Sequence, residues 1–227
     1  MIPWVQLGAA TVPEDGGELR LMQRGTEFSI MAGSTELMNS RLSGSEEALA
    51  TLTCSPLATR AGARILIGGL GMGFTLRTAL SVLGPHAAVT VAELVPAVVA
   101  WARGPLAALH DESLHDPRVT IFEGDVGVPI RKAASTPTSP YDAILLDVDN
   151  GPAGLTRAAN DGLYGSRGLE AAMRALRPGG ALAVWSATPD AGFTRRLKVA
   201  GFAVEEVPVR ARGKRGARHL IWLAKKL

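Results

Sequence analysis

An apolar run that breaks into glycines, Arg64-Ile-Leu-Ile-Gly-Gly-Leu-Gly-Met-Gly73, is followed twenty residues later by an acid closing a second apolar run, Val89-Thr-Val-Ala-Glu93. Short apolar runs of this kind read as strands buried on both faces. The glycines permit a tight turn close to a ligand, and Phe74 to Leu83 continues with a helical period. Strand, turn, helix and strand in register form the first unit of a wound sheet, and few other architectures accept that order.

The spacing of the glycines also selects the ligand. A dinucleotide fingerprint counted from Gly69 and Gly71 needs a glycine at 74, where this chain has Phe74. The pattern is G-x-G-x-G, the form suited to S-adenosylmethionine or its relatives, which bring no pyrophosphate to the helix start. Gly68, Gly69, Gly71 and Gly73 are therefore candidate cofactor contacts. Glu93, with Leu94 after it, stands at a strand end where a carboxylate accepts both ribose hydroxyls. In Glu123-Gly-Asp125, Asp125 is placed to accept from an adenine amino group while the backbone at Val126 reads the ring; its alternative role is a helix cap before Val126.

The alternation continues to the carboxyl end. Pro96 opens a helix expected to reach about Leu109, Arg118 to Phe122 is a strand, and Ser135 to Pro140 is a loop. Tyr141 to Asp147 is the next strand, and Ala181 to Trp185 follows a glycine pair. Phe202 to Val209 and His219 to Ala224 form a closing pair joined by a basic loop, with an antiparallel edge. The expected fold is α/β, a Rossmann-like doubly wound sheet, mostly parallel with its last strand antiparallel. A small N-terminal extension precedes it, in which Glu18 to Gln23 and Glu27 to Ala32 make a β-hairpin. Ser43-Gly-Ser-Glu46 reads as the capping box of a helix carrying Leu49, Leu52 and Thr53. Residues 1–60 are assigned to the extension and 61–227 to the nucleoside-binding catalytic domain.

Composition narrows the function. With 227 residues and 47% hydrophobic content, one core suffices, and no apolar run approaches the roughly 20 residues of a membrane span. No secretion signal is visible at Met1-Ile-Pro-Trp4, so a cytoplasmic enzyme is expected, with no membrane partner. The single cysteine, Cys54, forbids an internal disulfide, and the scattered histidines offer no ligand spacing, so no metal is assigned. Net charge is +3, yet Arg210, Arg212, Lys214, Arg215 and Arg218 crowd one segment. That segment is either a solvated loop or a lip for an anion; with few aromatics nearby to stack bases, nucleic acid is not an expected partner. Apolar positions in the hairpin are a candidate homodimer surface.

Asp147 is the leading candidate for chemistry, with Asp149 beside it. In Asp147-Val-Asp-Asn-Gly-Pro152 two carboxylates and an amide leave a buried strand together, where burial and like charge raise a carboxylate pKa and fit it to accept a proton from an amine. Asp149 or Asn150 can instead cap the turn.

Over residues 18 to 224 the chain resembles the spermidine synthase family, the polyamine aminopropyltransferases. The resemblance lies in the hairpin-plus-helix extension, Ile67 to Gly73, Ala92 to Val99, Glu123 to Asp125, Tyr141 to Asp147 and Asn150-Gly-Pro-Ala153. It implies that Glu93 holds a ribose, Asp125 contacts adenine and Asp147 helps deprotonate the attacking amine of a small-molecule acceptor. It makes Asn150, Tyr164 and Glu47 candidate substrate contacts. Gly71 stands where the family usually carries an aspartate that contacts the aminopropyl end of decarboxylated S-adenosylmethionine, and Asn150 stands where it carries a second aspartate. Two transfer chemistries follow. Decarboxylated S-adenosylmethionine implies aminopropyl transfer; S-adenosylmethionine itself implies methyl transfer to a small, anionic acceptor. A non-catalytic nucleoside- or RNA-binding protein is the third alternative.

Overall fold

A computed structural model describes residues 2–13, 16–136, 138–148, 151–152, 162–212 and 215–227, with Arg215 described by its backbone alone. From residue 64 onward, strands and helices alternate: β5 (Arg64–Gly68), α2 (Phe74–Val82), β6 (Ala88–Glu93), α3 (Pro96–Arg103), α4 (Ala107–His110), β7 (Val119–Glu123), α5 (Gly127–Ala134) and β8 (Tyr141–Leu146). α6 (Ser166–Ala175), β9 (Leu176–Ser186), α7 (Ala191–Val199), β10 (Phe202–Arg212) and β11 (Arg215–Lys226) complete the chain. The sheet order is β10-β11-β9-β8-β5-β6-β7. β11 runs antiparallel to both neighbours, and the other six strands share one direction.

Both faces of this sheet are buried because its strands carry apolar residues in both phases of a period-2 repeat. Ile65, Ile67, Ala143, Leu145, Ala183, Trp185 and Ile221 enter one core with α1 (Gly44–Cys54), α2 and α3. Their neighbours Leu66, Ile144, Leu146, Leu182, Val184 and Trp222 enter a second core with α5, α6 and α7. The sheet is thus wound on both sides.

The N-terminal part is a second, four-stranded antiparallel sheet, ordered β1 (Val5–Thr11), β2 (Glu18–Arg24), β3 (Glu27–Ala32) and β4 (Thr35–Asn39). The expected hairpin is β2–β3; β1 and β4 lengthen it on either side. Leu19, Leu21 and Ile30 of this sheet join the first core, and Gly8 lies against Trp101 of α3, where a side chain at residue 8 would strike the indole.

Four expectations are corrected. The helix from Pro96 stops at Arg103, because Pro105 has no amide hydrogen to donate and disfavours a helical Gly104; four residues of α4 then reach His110. The segment expected as a basic loop is largely strand: Arg210 pairs with Arg218 and Arg212 with Arg215 in the β10–β11 hairpin. β10 is an edge, where solvated arginines disfavour pairing with another chain. The capping box is absent as an interaction, since Ser43 precedes α1 without a side-chain hydrogen bond to it. Leu52, expected on the buried face of α1, is exposed.

Candidate active site

β5 is followed in sequence by β6 on one side and lies against β8 on the other, so the loops after β5 and β8 diverge and leave a crevice beyond the strand ends. A cavity of about 410 Å³ occupies that position. Small-molecule pockets commonly range over roughly 300–1,000 Å³. Gly69, Leu70 and Gly71 form its floor, Glu93, Leu94, Asp125 and Val126 one side, and Asp147 and Trp185 the other. Leu19, Ile30, Leu37 and Met38 of the small sheet cover it.

The floor requires glycine. Gly69 has φ +89°, and a Cβ there would lie 2.3 Å from the Asp147 carbonyl oxygen; Gly71 has φ +49°, and a Cβ there would meet the Met38 thioether at 2.8 Å. Gly68 ends β5 against Val126 and Leu146, and Gly73 opens α2 with the buried His110 ring against it. These two glycines shape the turn from behind and do not line the cavity. Burial holds the His110 pKa down at about 4, with the Arg77 charge adding to the effect, so the imidazole is neutral near pH 7.

Glu93 is 7% exposed at the end of β6. Its two oxygens accept from the backbone amides of Leu70 and Val95, each at 2.9 Å. The carboxylate therefore ties the glycine turn to the start of α3 while lining the cavity. Asp125 accepts from the Gly127 amide at the start of α5 and also lines the cavity. The capping role and the pocket position thus coincide in one residue.

Asp147 follows β8. Its backbone amide donates to the Gly68 carbonyl at 2.9 Å, which extends the β5–β8 pairing and aims the residue across the turn. The Thr75 hydroxyl donates to Asp147 Oδ2 at 2.6 Å. Burial, reinforced by the nearby charge of Glu46, raises the Asp147 pKa to about 7, and the Thr75 hydrogen bond opposes the rise. The group is poised to exchange a proton near neutral pH.

Glu46, rather than the expected Glu47, reaches the cavity from the first turn of α1. Burial raises its pKa, against the lowering effect of the Ser45 hydroxyl, which donates to Glu46 Oε2 at 2.7 Å. The His219 Nδ1 lies 2.9 Å from the same hydroxyl, and the His219 ring stands edge-on to Trp185 with centroids 4.8 Å apart. Leu163 lines the cavity, whereas Tyr164 is turned inward against Phe193 and is 2% exposed. Asp149 and Asn150 lie outside the described residues. Cys54 is fully buried in α1 with its thiol pushed up to about 12, a setting that suits packing and not nucleophilic attack.

The described lining contains Glu18, Glu46, Glu93, Asp125 and Asp147 and no lysine, arginine or histidine. Arg210, Arg212 and Arg218 do not line it, so these arginines of the basic segment are not part of the cavity wall, and Lys214 lies outside the described residues. Among the described residues, no cluster of His, Cys, Asp and Glu could hold a metal ion, and no helix is long and apolar enough to cross a membrane.

Known proteins are similar to this chain in sequence over part of its length and in fold over nearly all of it. The polyamine aminopropyltransferase of Mycobacterium tuberculosis is 35% identical over 151 residues, covering 63% of this chain and 28% of the relative. Polyamine aminopropyltransferase 1 of Streptomyces coelicolor is 31% identical over 154 residues, 64% of this chain and 27% of that protein. The crystal structure of spermidine synthase from Thermotoga maritima superposes on 98% of the chain with a TM-score of 0.73, at 16% identity and over 73% of its own length. The chain shares the fold of the spermidine synthases. A spermidine synthase in complex with the transition-state analogue AdoDATO gives a TM-score of 0.72 at 16% identity, over 98% of this chain and 72% of that one. The match to the curated aminopropyltransferases spans little more than a quarter of their length, and no family model matches the chain.

Proposed function

We propose that this chain is an aminopropyltransferase that uses decarboxylated S-adenosylmethionine and passes its aminopropyl group to an amine, with Asp147 as the base. The observation that carries this reading is the sign of the cavity wall: five carboxylates and no basic side chain among the described lining residues. A donor that keeps its carboxylate meets only like charge there, whereas a sulfonium that also bears an ammonium meets opposite charge. The names and bound analogue of the relatives agree with that class of donor.

The donor supplies a carbon made electrophilic by its sulfonium, and the protein supplies position and charge. Gly69 and Gly71 let the turn approach the nucleoside, Glu93 takes the ribose hydroxyls, and Asp125 with the backbone at Val126 takes the adenine. The acceptor nitrogen forms the new bond to carbon as the carbon–sulfur bond breaks and its electron pair passes to sulfur. Asp147 takes the proton released from nitrogen. A carboxylate with a pKa of about 7 suits this role, being half ionised at neutral pH and a stronger base than an ordinary carboxylate.

Calorimetric titrations with decarboxylated S-adenosylmethionine, S-adenosylmethionine and methylthioadenosine in parallel test the reading. Decarboxylated S-adenosylmethionine is expected to bind at least tenfold more tightly than the carboxylated form. The reverse order overturns aminopropyl transfer in favour of methyl transfer, and binding of none of the three leaves the site without an adenosyl ligand.

A further inference from the structure

We propose that Ser45 and His219 are positioning residues that hold Glu46 against the acceptor end of the cavity, through a hydrogen-bonded chain running from the last strand into the first helix. This deepens the reading above and rests on it for the identity of the substrate.

The direction of the chain follows from proton counting. A serine hydroxyl has one hydrogen, and at Ser45 it goes to Glu46 Oε2 at 2.7 Å. The contact between Ser45 Oγ and His219 Nδ1 at 2.9 Å must then use the proton of Nδ1, since the hydroxyl has only lone pairs left to offer. Burial lowers the His219 pKa and favours a neutral ring, so the imidazole is held in its Nδ1–H form with Nε2 bare. Trp185, edge-on at 72° to that ring, fixes its plane and is itself part of the cavity wall. Ser45 is completely buried, which keeps water from competing for either bond.

The tether adds a long-range hold to a local one. Ser43 makes no side-chain cap, and the Glu46 carboxylate instead turns back onto the backbone amides of Ser45 and Glu46 at the helix start. The Ser45–His219 link joins residues 174 positions apart in the chain and fixes one oxygen of Glu46 beside Asp147. A cationic acceptor then meets two carboxylates, one that takes a proton and one that stays put and takes charge. Replacing the tether leaves the Thr75–Asp147 hydrogen bond in place, and burial, the larger cause of the raised Asp147 pKa, is unchanged, so the loss falls on acceptor binding more than on the chemical step.

The test uses the full chain with decarboxylated S-adenosylmethionine as donor and 1,4-diaminobutane as acceptor. Imidazole nitrogen NMR is expected to show His219 protonated at Nδ1 in the wild type and shifted toward the Nε2–H form in Ser45→Ala. Ser45→Ala and His219→Leu are expected to raise the KM for the diamine about tenfold, the effect of losing a hydrogen bond to a charged group, with kcat within about twofold of wild type. His219→Asn, which offers an amide N–H close to where Nδ1–H stood, is expected to restore KM, and it keeps the test open if the leucine variant fails to fold. A wild-type His219 protonated at Nε2, or unchanged KM in both disrupting variants of an active enzyme, overturns the proposal. A wild type that transfers no aminopropyl group refutes the assigned reaction and not the tether, which the imidazole tautomer then decides alone.

Discussion

Replacing Thr75 with valine removes one hydroxyl and keeps the branched shape. In the structure that hydroxyl donates to Asp147 Oδ2 at 2.6 Å and stabilises the ionised carboxylate. A hydrogen bond to a charged group contributes about 1.5–3 kcal/mol, and one pH unit corresponds to about 1.4 kcal/mol, so the Asp147 pKa moves from about 7 to roughly 8–9. At pH 7 the ionised fraction falls from one half to between about one in ten and one in a hundred, and kcat/KM falls roughly 5- to 50-fold. The assay is the pH dependence of kcat/KM for the amine in both proteins. The acceptor's own ionisation contributes the same limb to both profiles, so the difference belongs to the enzyme. The rising limb of Thr75→Val is expected at higher pH, with activity regained there. A limb that stays in place, or a loss equal at every pH, refutes Asp147 as the group that must lose its proton.

Asp147→Asn is expected to leave donor affinity nearly unchanged in calorimetry and to lower turnover about 100-fold or more. The raised pKa of Asp147 favours the folded state below its unfolded value near 4, and that advantage is lost as pH rises to about 7. The Asn variant is therefore expected to gain in melting temperature relative to wild type on going from pH 5 to pH 8. Glu93→Ala strips the acceptor from two buried amides, Leu70 and Val95, and is expected to lower stability in urea unfolding by about 2–6 kcal/mol as well as to weaken donor binding. Gly69→Ala is expected to destabilise the protein more than Gly71→Ala in the same measurement, because the first collides with a backbone carbonyl and the second with the end of a methionine side chain that can swing aside.

The central strands were legible because their signals are local. Ile65 to Ile67 and Ala143 to Leu146 are apolar runs, and the glycines and acids at their ends mark where the crevice opens. β1 escaped because most of its residues are exposed, which erases the alternation that betrays a half-buried strand. The choice between Glu46 and Glu47 depends on the rotation of α1, and a signal for it was present. Leu49, Ala50 and Thr53 lie three, four and seven residues after Glu46 and are all buried, so Glu46 shares the inward face. Thr75, Ser45, Met38 and His219 carried no comparable mark. Each matters through a partner distant in sequence, and only the closed fold brings the two together.

The cavity has two owners. Its floor and flanks belong to the wound sheet, whose loops carry the acids assigned to the donor, while its cover belongs to a separate antiparallel sheet that contributes mainly aliphatic and thioether surface. On the proposed reaction, an exchange at Leu37 is expected to alter which amine is admitted while sparing the groups assigned to the nucleoside. A scaffold divided in this way would let acceptor preference drift across evolution while the proposed donor chemistry stays constant.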